Sequence, residues 1–298
     1  VRAISTAAGL ALDELLGEPP ARVHPVALFG RLMTRIERRL YGDSRARGSL
    51  HALGGVSLGL LAGRTLRSSA VACWLACAGR MLRRSALEIA EALERGETDR
   101  ARLLLPALVG RRPDALDDAA IARAVVESLA ENTVDAIVAP AVWTLVAGAP
   151  GALAHRATNT MDAMVGHRNA RYRRYGWASA RLDDAAAWLP ARLTALLVAT
   201  VRPRQARAVL RAVREDAPHH PSPNAGVGEA AFAAALGITL GGATDYGDRV
   251  EQRPLLGTGT QPTTADIRRA VTLSRQAELA LALGLLGVGV TRALRRRR

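Results

Sequence analysis

The stretch from Val134 to Leu153 is 20 residues long and its only charge is Asp135, near its start. That meets the requirement of about 20 apolar residues for a helix crossing a bilayer. Polar residues crowd both ends of this run, which a bland membrane helix would not carry. Glu127, Glu131 and Asp135 are spaced by four and four, with Asn132 beside them. On an unbroken α-helix this spacing sets three carboxylates on one face. Like charges so placed repel unless a cation or cationic substrate sits among them. Asn159 and Asp162, three apart, repeat the theme beyond the run.

The other apolar runs are shorter: Leu50–Gly63, Ser69–Gly79, Ala185–Val201 interrupted by Pro190 and Arg192, and Ala277–Val290. Aromatics make up only 3% of the chain while apolar residues make up 49%, so the apolar mass is Ala, Leu, Val and Gly. Ala and Leu favour helix, and strand-like alternation is almost absent. The expected fold is all-α: one multi-pass helical membrane domain over residues 1–298, with short or broken helices and cytoplasmic helical loops. Amphipathic helices are expected at Ser85–Glu94 and Asp99–Leu108, and helix starts near Asp114–Asp118 and Gly226. Residues 3–12 run straight into Asp13 and Glu14, so no cleaved secretory signal is expected there.

All 41 cationic residues are Arg, which excludes a lysine Schiff base and a P-loop. The net charge of +14 is clustered beside apolar runs, as at Arg80, Arg83 and Arg84 or Arg292–Arg298. That is the pattern of cytoplasmic flanks of membrane helices rather than of nucleic-acid binding. It places the Arg168–Arg174 loop and the C-terminus on the cytoplasmic side of the cell membrane. Cys73 and Cys77, four apart in an apolar run, read as buried small hydrophobes. Asp13, Glu18 and His24 share an N-terminal segment with Pro19, Pro20 and Pro25, which suggests a rigid turn.

Five segments carry a resemblance: LDELLGEPPARVHPVALFGRL (12–32), VESLAENTVDAIVAP (126–140), NTMDAMVGHRNARYRRYGWASARLDD (159–184), HPSPNAGVGEAAFAAALGITLGG (220–242) and RPLLG (253–257). In this order they resemble the cobalamin-biosynthesis CobD/CbiB family, the adenosylcobinamide-phosphate synthases. The resemblance implies an integral membrane enzyme that joins (R)-1-amino-2-propanol or its phosphate to a propionate of adenosylcobyric acid. It implies ATP as co-substrate, Mg²⁺, a corrinoid substrate, and a possible complex with other late cobalamin-pathway enzymes.

Amide formation from a carboxylate and an amine needs an activated acid, a counter-charge for phosphate and an acceptor for the ammonium proton. Glu127, Glu131, Asp135 and Asp162 are the candidate catalytic carboxylates. Glu131, Asp135, Asp162 and Asp184 are the candidate Mg²⁺ ligands. Asn132, Asn159, Arg168, Arg171, Arg181, Ser222 and Asn224 are candidates for substrate binding, the arginines through phosphate or carboxylate. The competing class is a non-catalytic membrane scaffold or transport component of the corrinoid pathway, which has no need of aligned carboxylates.

Overall fold

The computed structural model describes residues 1–20, 22, 24–110, 116–167, 169–245 and 250–295. The helices are α1 (Arg2–Leu16), α2 (Pro25–Leu40), α3 (Arg45–Thr65), α4 (Ser69–Ala76), α5 (Gly79–Glu94), α6 (Thr98–Leu104), α7 (Asp118–Thr133), α8 (Ala139–Val165), α9 (Trp177–Val201), α10 (Ala206–Glu215), α11 (Ala225–Leu236) and α12 (Thr264–Arg295). A single antiparallel hairpin, β1 (Leu240–Asp245) with β2 (Val250–Leu256), is the only sheet among the described residues. The all-α expectation is met.

Three helical stretches are long and apolar enough to cross a membrane: Asp118–Val165, Trp177–Val201 and Thr264–Arg295. The first contains the run that opens the sequence reading. It is a broken helix: a π turn at Val134–Val138 separates α7 from α8, and α8 kinks at Gly148, whose φ is 68°, just before Pro150. Pro removes a backbone donor and clashes with the preceding turn, so the break falls where the sequence supplies one. The run Ala277–Val290 is the C-terminal part of a helix much longer than its own apolar length.

Chain contacts group the protein into two compact units. The first comprises residues 1–78, 135–188 and 282–298; the second comprises 79–134 and 189–281. Both are assembled from segments distant in sequence.

In the first unit, α3 packs on α8 in the manner of helices surrounded by lipid. Its glycines and other small residues (Gly48, Ala52, Gly55, Gly59, Gly63) are buried, whereas Leu50, Leu53, Leu60 and Leu61 are exposed. Lipid gives no hydrophobic reward for burying leucine, so close backbone approach at small residues holds such pairs together. A Cβ on Gly59 would stand 2.6 Å from the Leu153 carbonyl oxygen, and one on Gly63 2.4 Å from the Pro150 Cα. Gly59→Val is therefore expected to destabilise the protein by about 1–3 kcal/mol through overpacking. Gly54→Ala, facing open space, gains helix propensity and should be neutral or stabilising. Thermal unfolding midpoints of the two variants in one detergent measure the contrast. In the run at 284–289 a Cβ on Gly289 would stand 2.5 Å from Ile4 Cγ1, while Gly284 and Gly287 face open space.

The second unit buries α7, α11 and the hairpin around Ile121, Leu129, Phe232, Leu240 and Leu256. Asp117 starts α7, its Oδ1 accepting from the Ala120 N–H at 2.8 Å, which is an ordinary aspartate cap. On α12 the pattern is inverted relative to a soluble helix: Ser274 and Glu278 are buried while Leu279, Leu283 and Leu286 are exposed. An outward apolar face with inward polar residues belongs to a helix facing lipid. Arg83 of α5 donates to Glu278 at 2.7 Å, both side chains buried.

Candidate functional site

In the first unit the π turn organises the site. Its i→i+5 pattern inserts a residue into the helix, so the spacing by four that aligns Glu127, Glu131 and Asp135 ends there. Glu127 is buried and Glu131 exposed although both lie on the regular α7, and Asp135, inside the π turn, is half-buried. The turn also turns backbone carbonyls toward other partners. The Asp135 carbonyl lies 3.3 Å from His155 Nε2, and the Ala136 carbonyl accepts from the Ala78 N–H at 3.0 Å. π turns recur at functional sites because they re-aim side chains in this way.

What the turn aims is Asp135. Asn159 of α8 donates through Nδ2 to Asp135 Oδ2 at 3.3 Å and stands 3.4 Å from Asp183 Oδ1 of α9. One amide thus holds carboxylates from two further segments. Asp162 lies one turn beyond Asn159, its carboxylate folded over Gly166, where a Cβ would sit 1.8 Å from Oδ1. Asp184, expected among the metal ligands, pairs with Arg181 at 3.3 Å on an exposed turn, so the acid that Asn159 reaches is its neighbour.

The arginine loop is anchored before it can meet a ligand. Glu37 of α2 is buried and accepts from Tyr172 Oη at 2.9 Å and from Arg171 Nη2 at 3.1 Å. The Arg171 guanidinium stacks over the Tyr41 ring at 4.2 Å, and Tyr41 Oη donates to the Arg171 carbonyl at 3.1 Å. Arg171 thus helps to fix the loop, with its side chain still half exposed. Burial pushes the neighbouring Tyr175 hydroxyl up to about 12, and Glu37 adds to the shift. Arg168 lies outside the described residues.

The N-terminal motif forms a helix start. His24 caps α2, its Nδ1 accepting from the Val26 N–H at 3.2 Å with Pro25 in the first turn, and its Nε2 stands 3.5 Å from Glu18. Burial raises the Glu18 carboxyl, opposed by Arg156.

The second unit holds a cluster of buried ionisable groups that draws on three of the five quoted segments. A register irregularity between Leu240 and Gly242 leaves Gly241, at φ 88°, with its N–H turned out of the ladder; it donates to Glu127 Oε1 at 2.9 Å. A Cβ there would stand 2.1 Å from the Pro254 carbonyl oxygen, so the bulge requires glycine. Glu229 of α11 is 0% exposed, with His220 Nε2 at 3.8 Å and Arg253 Nη1 at 3.9 Å. Arg192 of α9 donates to Asn224 Oδ1 at 3.0 Å. Ser222 Oγ accepts from the Asn224 and Ala225 N–H groups at 3.3 and 3.1 Å and so serves the start of α11. Asn132 turns back on its own helix, donating to the Ser128 carbonyl at 2.9 Å.

Glu229, Arg253, Arg192 and Glu37 were not among the sequence candidates. Glu229 had a readable signal, as the single charge in the apolar run Ala225–Leu236; Glu37 sits among arginines on an amphipathic helix and had none. Among the described residues, no three His, Cys, Asp or Glu side chains converge into a set able to hold a metal. Mg²⁺ needs only one or two carboxylates when substrate phosphates and water complete its shell. The oxygen donors Asp135 and Asp183 fit that smaller requirement.

Burial holds His24 and His220 below the ordinary 6.5; Arg156 adds to the first, while for the second the Ser222 backbone contact opposes burial and Arg253 adds to it. A histidine kept neutral in the folded chain but protonated when unfolded costs stability as pH falls through 6.5, until its folded pKa is reached. The slope is at most about 1.4 kcal/mol per pH unit for each group. Unfolding midpoints are expected to fall between pH 7.5 and 5.5, and His24→Asn, which keeps a cap acceptor, should flatten part of that fall.

The family model described as CobD/Cbib protein matches residues 6–274. "Cobalamin biosynthesis protein CobD" of Mycobacterium tuberculosis is 46% identical over 295 residues, covering 95% of this chain and 94% of the relative. The protein of that name from Rhodobacter capsulatus is 40% identical, covering 94% and 95%, and that from Geobacter metallireducens is 39% identical, covering 91% and 92%. No solved structure matches the chain. With the family's model extending across both compact units and relatives similar along nearly their whole length, the chain belongs to the CobD/CbiB protein family.

Proposed function

We propose that this chain acts in cobalamin biosynthesis as a membrane-embedded, ATP-dependent ligase. It joins (R)-1-amino-2-propanol or its phosphate to a propionate side chain of adenosylcobyric acid, giving adenosylcobinamide or its phosphate. The observation that carries the reading is the family match over residues 6–274. The carboxylates gathered at Asn159 add the kind of group the chemistry needs.

The reaction divides into two steps. A propionate oxygen attacks the γ-phosphorus of ATP, forming an acyl phosphate and releasing ADP. The amine then attacks the acyl carbon, the C–N bond forms, the C–O bond to phosphate breaks, and the ammonium proton passes to a base. Asp135 and Asp183 are assigned that proton-accepting role, oriented by Asn159. Asp135 and Asp183 would also be the residues to hold Mg²⁺, which would supply counter-charge to phosphate. Glu127, Glu229, His220 and Arg253 lie in the other unit, and no part in this step is assigned to them.

The deciding experiment is an assay of the purified chain in lipid nanodiscs with adenosylcobyric acid, ATP, Mg²⁺ and either amine. Cobinamide product with stoichiometric ADP supports the ligase and its acyl phosphate. Folded protein that binds the corrinoid and makes no product with either amine sinks the catalytic reading in favour of a scaffold or transport role. The cell membrane is the proposed location, with the segment 169–174 and the C-terminus toward the cytoplasm. A cysteine placed at Ala170 that reacts with an impermeant reagent in intact cells would reverse that orientation.

A further inference from the structure

The first unit carries a basic groove that none of the assigned chemistry uses. Ala27, Gly30, Arg31, Thr34, Arg35 and Arg38 of α2, with Met164 of α8, line an open groove of about 520 Å³. That is within the size range of small-molecule sites, about 300–1,000 Å³. At about 100° per residue, Arg31, Arg35 and Arg38 fall within about 60° of arc on α2. They lie opposite the buried Met33 and Glu37. All three are exposed, and among the described residues none has a hydrogen bond or ion pair to an acid. The one carboxylate on this stretch of α2, Glu37, is committed to Arg171 and Tyr172 on the other side.

Three guanidinium groups on one wall of one groove repel one another, and a polyanion removes that cost. Their span along the helix is about 10 Å at 1.5 Å per residue. An orthophosphate cannot bridge that length, whereas a chain of phosphates can. Arginine is the residue suited to holding phosphate oxygens in pairs. We propose that this groove seats the polyphosphate chain of a nucleoside triphosphate, with Arg31, Arg35 and Arg38 as its ladder. The assignment rests on the ligase reading, which requires such a co-substrate.

The test uses the full chain in phosphatidylcholine nanodiscs, which carry no anionic lipid. Inorganic tripolyphosphate and adenylyl imidodiphosphate are titrated separately in the presence of Mg²⁺. Losing a charge-assisted contact to phosphate is expected to weaken binding of both probes by about tenfold for Arg35→Gln. The Arg31→Gln/Arg35→Gln/Arg38→Gln triple variant should weaken it by about a hundredfold or more. Arg39→Gln, on the same helix outside the groove, should leave it within about twofold. Undiminished binding of both probes by the triple variant overturns the proposal. If that variant instead loses only retention of phosphatidylglycerol, measured by native mass spectrometry, the groove is a lipid-headgroup seat and the nucleotide assignment is again overturned. Failure of the ligase reading looks different: tripolyphosphate binding that depends on the ladder, with no cobinamide product from the wild type, leaves the groove standing and removes the reaction.

Discussion

Glu278→Leu is expected to destabilise the folded protein by about 3–5 kcal/mol, the usual cost of stranding one member of a buried ion pair. Arg83 is 5% exposed and donates to Glu278 at 2.7 Å. Without the carboxylate, a guanidinium that can never shed its proton stays in a site closed to water. The loss comes from a buried charge left without its carboxylate rather than from the attraction removed. The double variant Arg83→Met/Glu278→Leu should accordingly recover most of the stability, because the desolvation cost disappears together with the pair. Unfolding midpoints of the two variants in one detergent decide the matter. A single variant as stable as the wild type would show that water or another acceptor satisfies Arg83.

The largest effect on activity is expected at Asp135. Asp135→Asn keeps volume and hydrogen-bonding reach but removes the proton acceptor, so kcat should fall by about 10²–10⁴, the range of general-base contributions. Asp183→Asn should behave alike, because Asn159 joins the two carboxylates. Asp184→Asn serves as the contrast: its exposed pair with Arg181 is of a kind worth little, and kcat should stay within a few-fold. A uniform loss across all three would mark the segment as structural. Corrinoid binding retained in Asp135→Asn alongside the lost turnover separates chemistry from recognition.

Most of the fold was legible because it is written in short-range pattern. The apolar run beginning at Val134 and the helix start beside Asp118 are local signals and stand where the sequence puts them, whereas the kink at Gly148 falls inside a run whose hydropathy reads as continuous. The site was legible in its ingredients rather than in its geometry. Spacing by four at Glu127, Glu131 and Asp135 presumes an unbroken α-helix, and a π turn carries no composition that distinguishes it from the helix around it. The partnership of Glu127 with Gly241 joins residues 114 positions apart through a bulge, which no window on the sequence spans. Arg171 read as an anion-binding residue because its neutralising partner, Glu37, is 134 positions away.

Of the four boundaries between the two units, three, at Val134/Asp135, Trp188/Leu189 and Leu281/Ala282, fall within the three stretches able to cross a membrane; the fourth is at Ala78/Gly79. Synthesis from the N-terminus, at about 5–20 residues per second, therefore completes neither unit early. The second cannot close until residue 281 has left the ribosome, and the first waits for the segment that begins at Ala282. Residues 1–78 can pair α1 with α4 and α2 with α3 but wait for α8, which begins at Ala139. The nascent protein thus meets the membrane as a set of half-assembled units, and a stop codon before α12 leaves both unfinished rather than one intact.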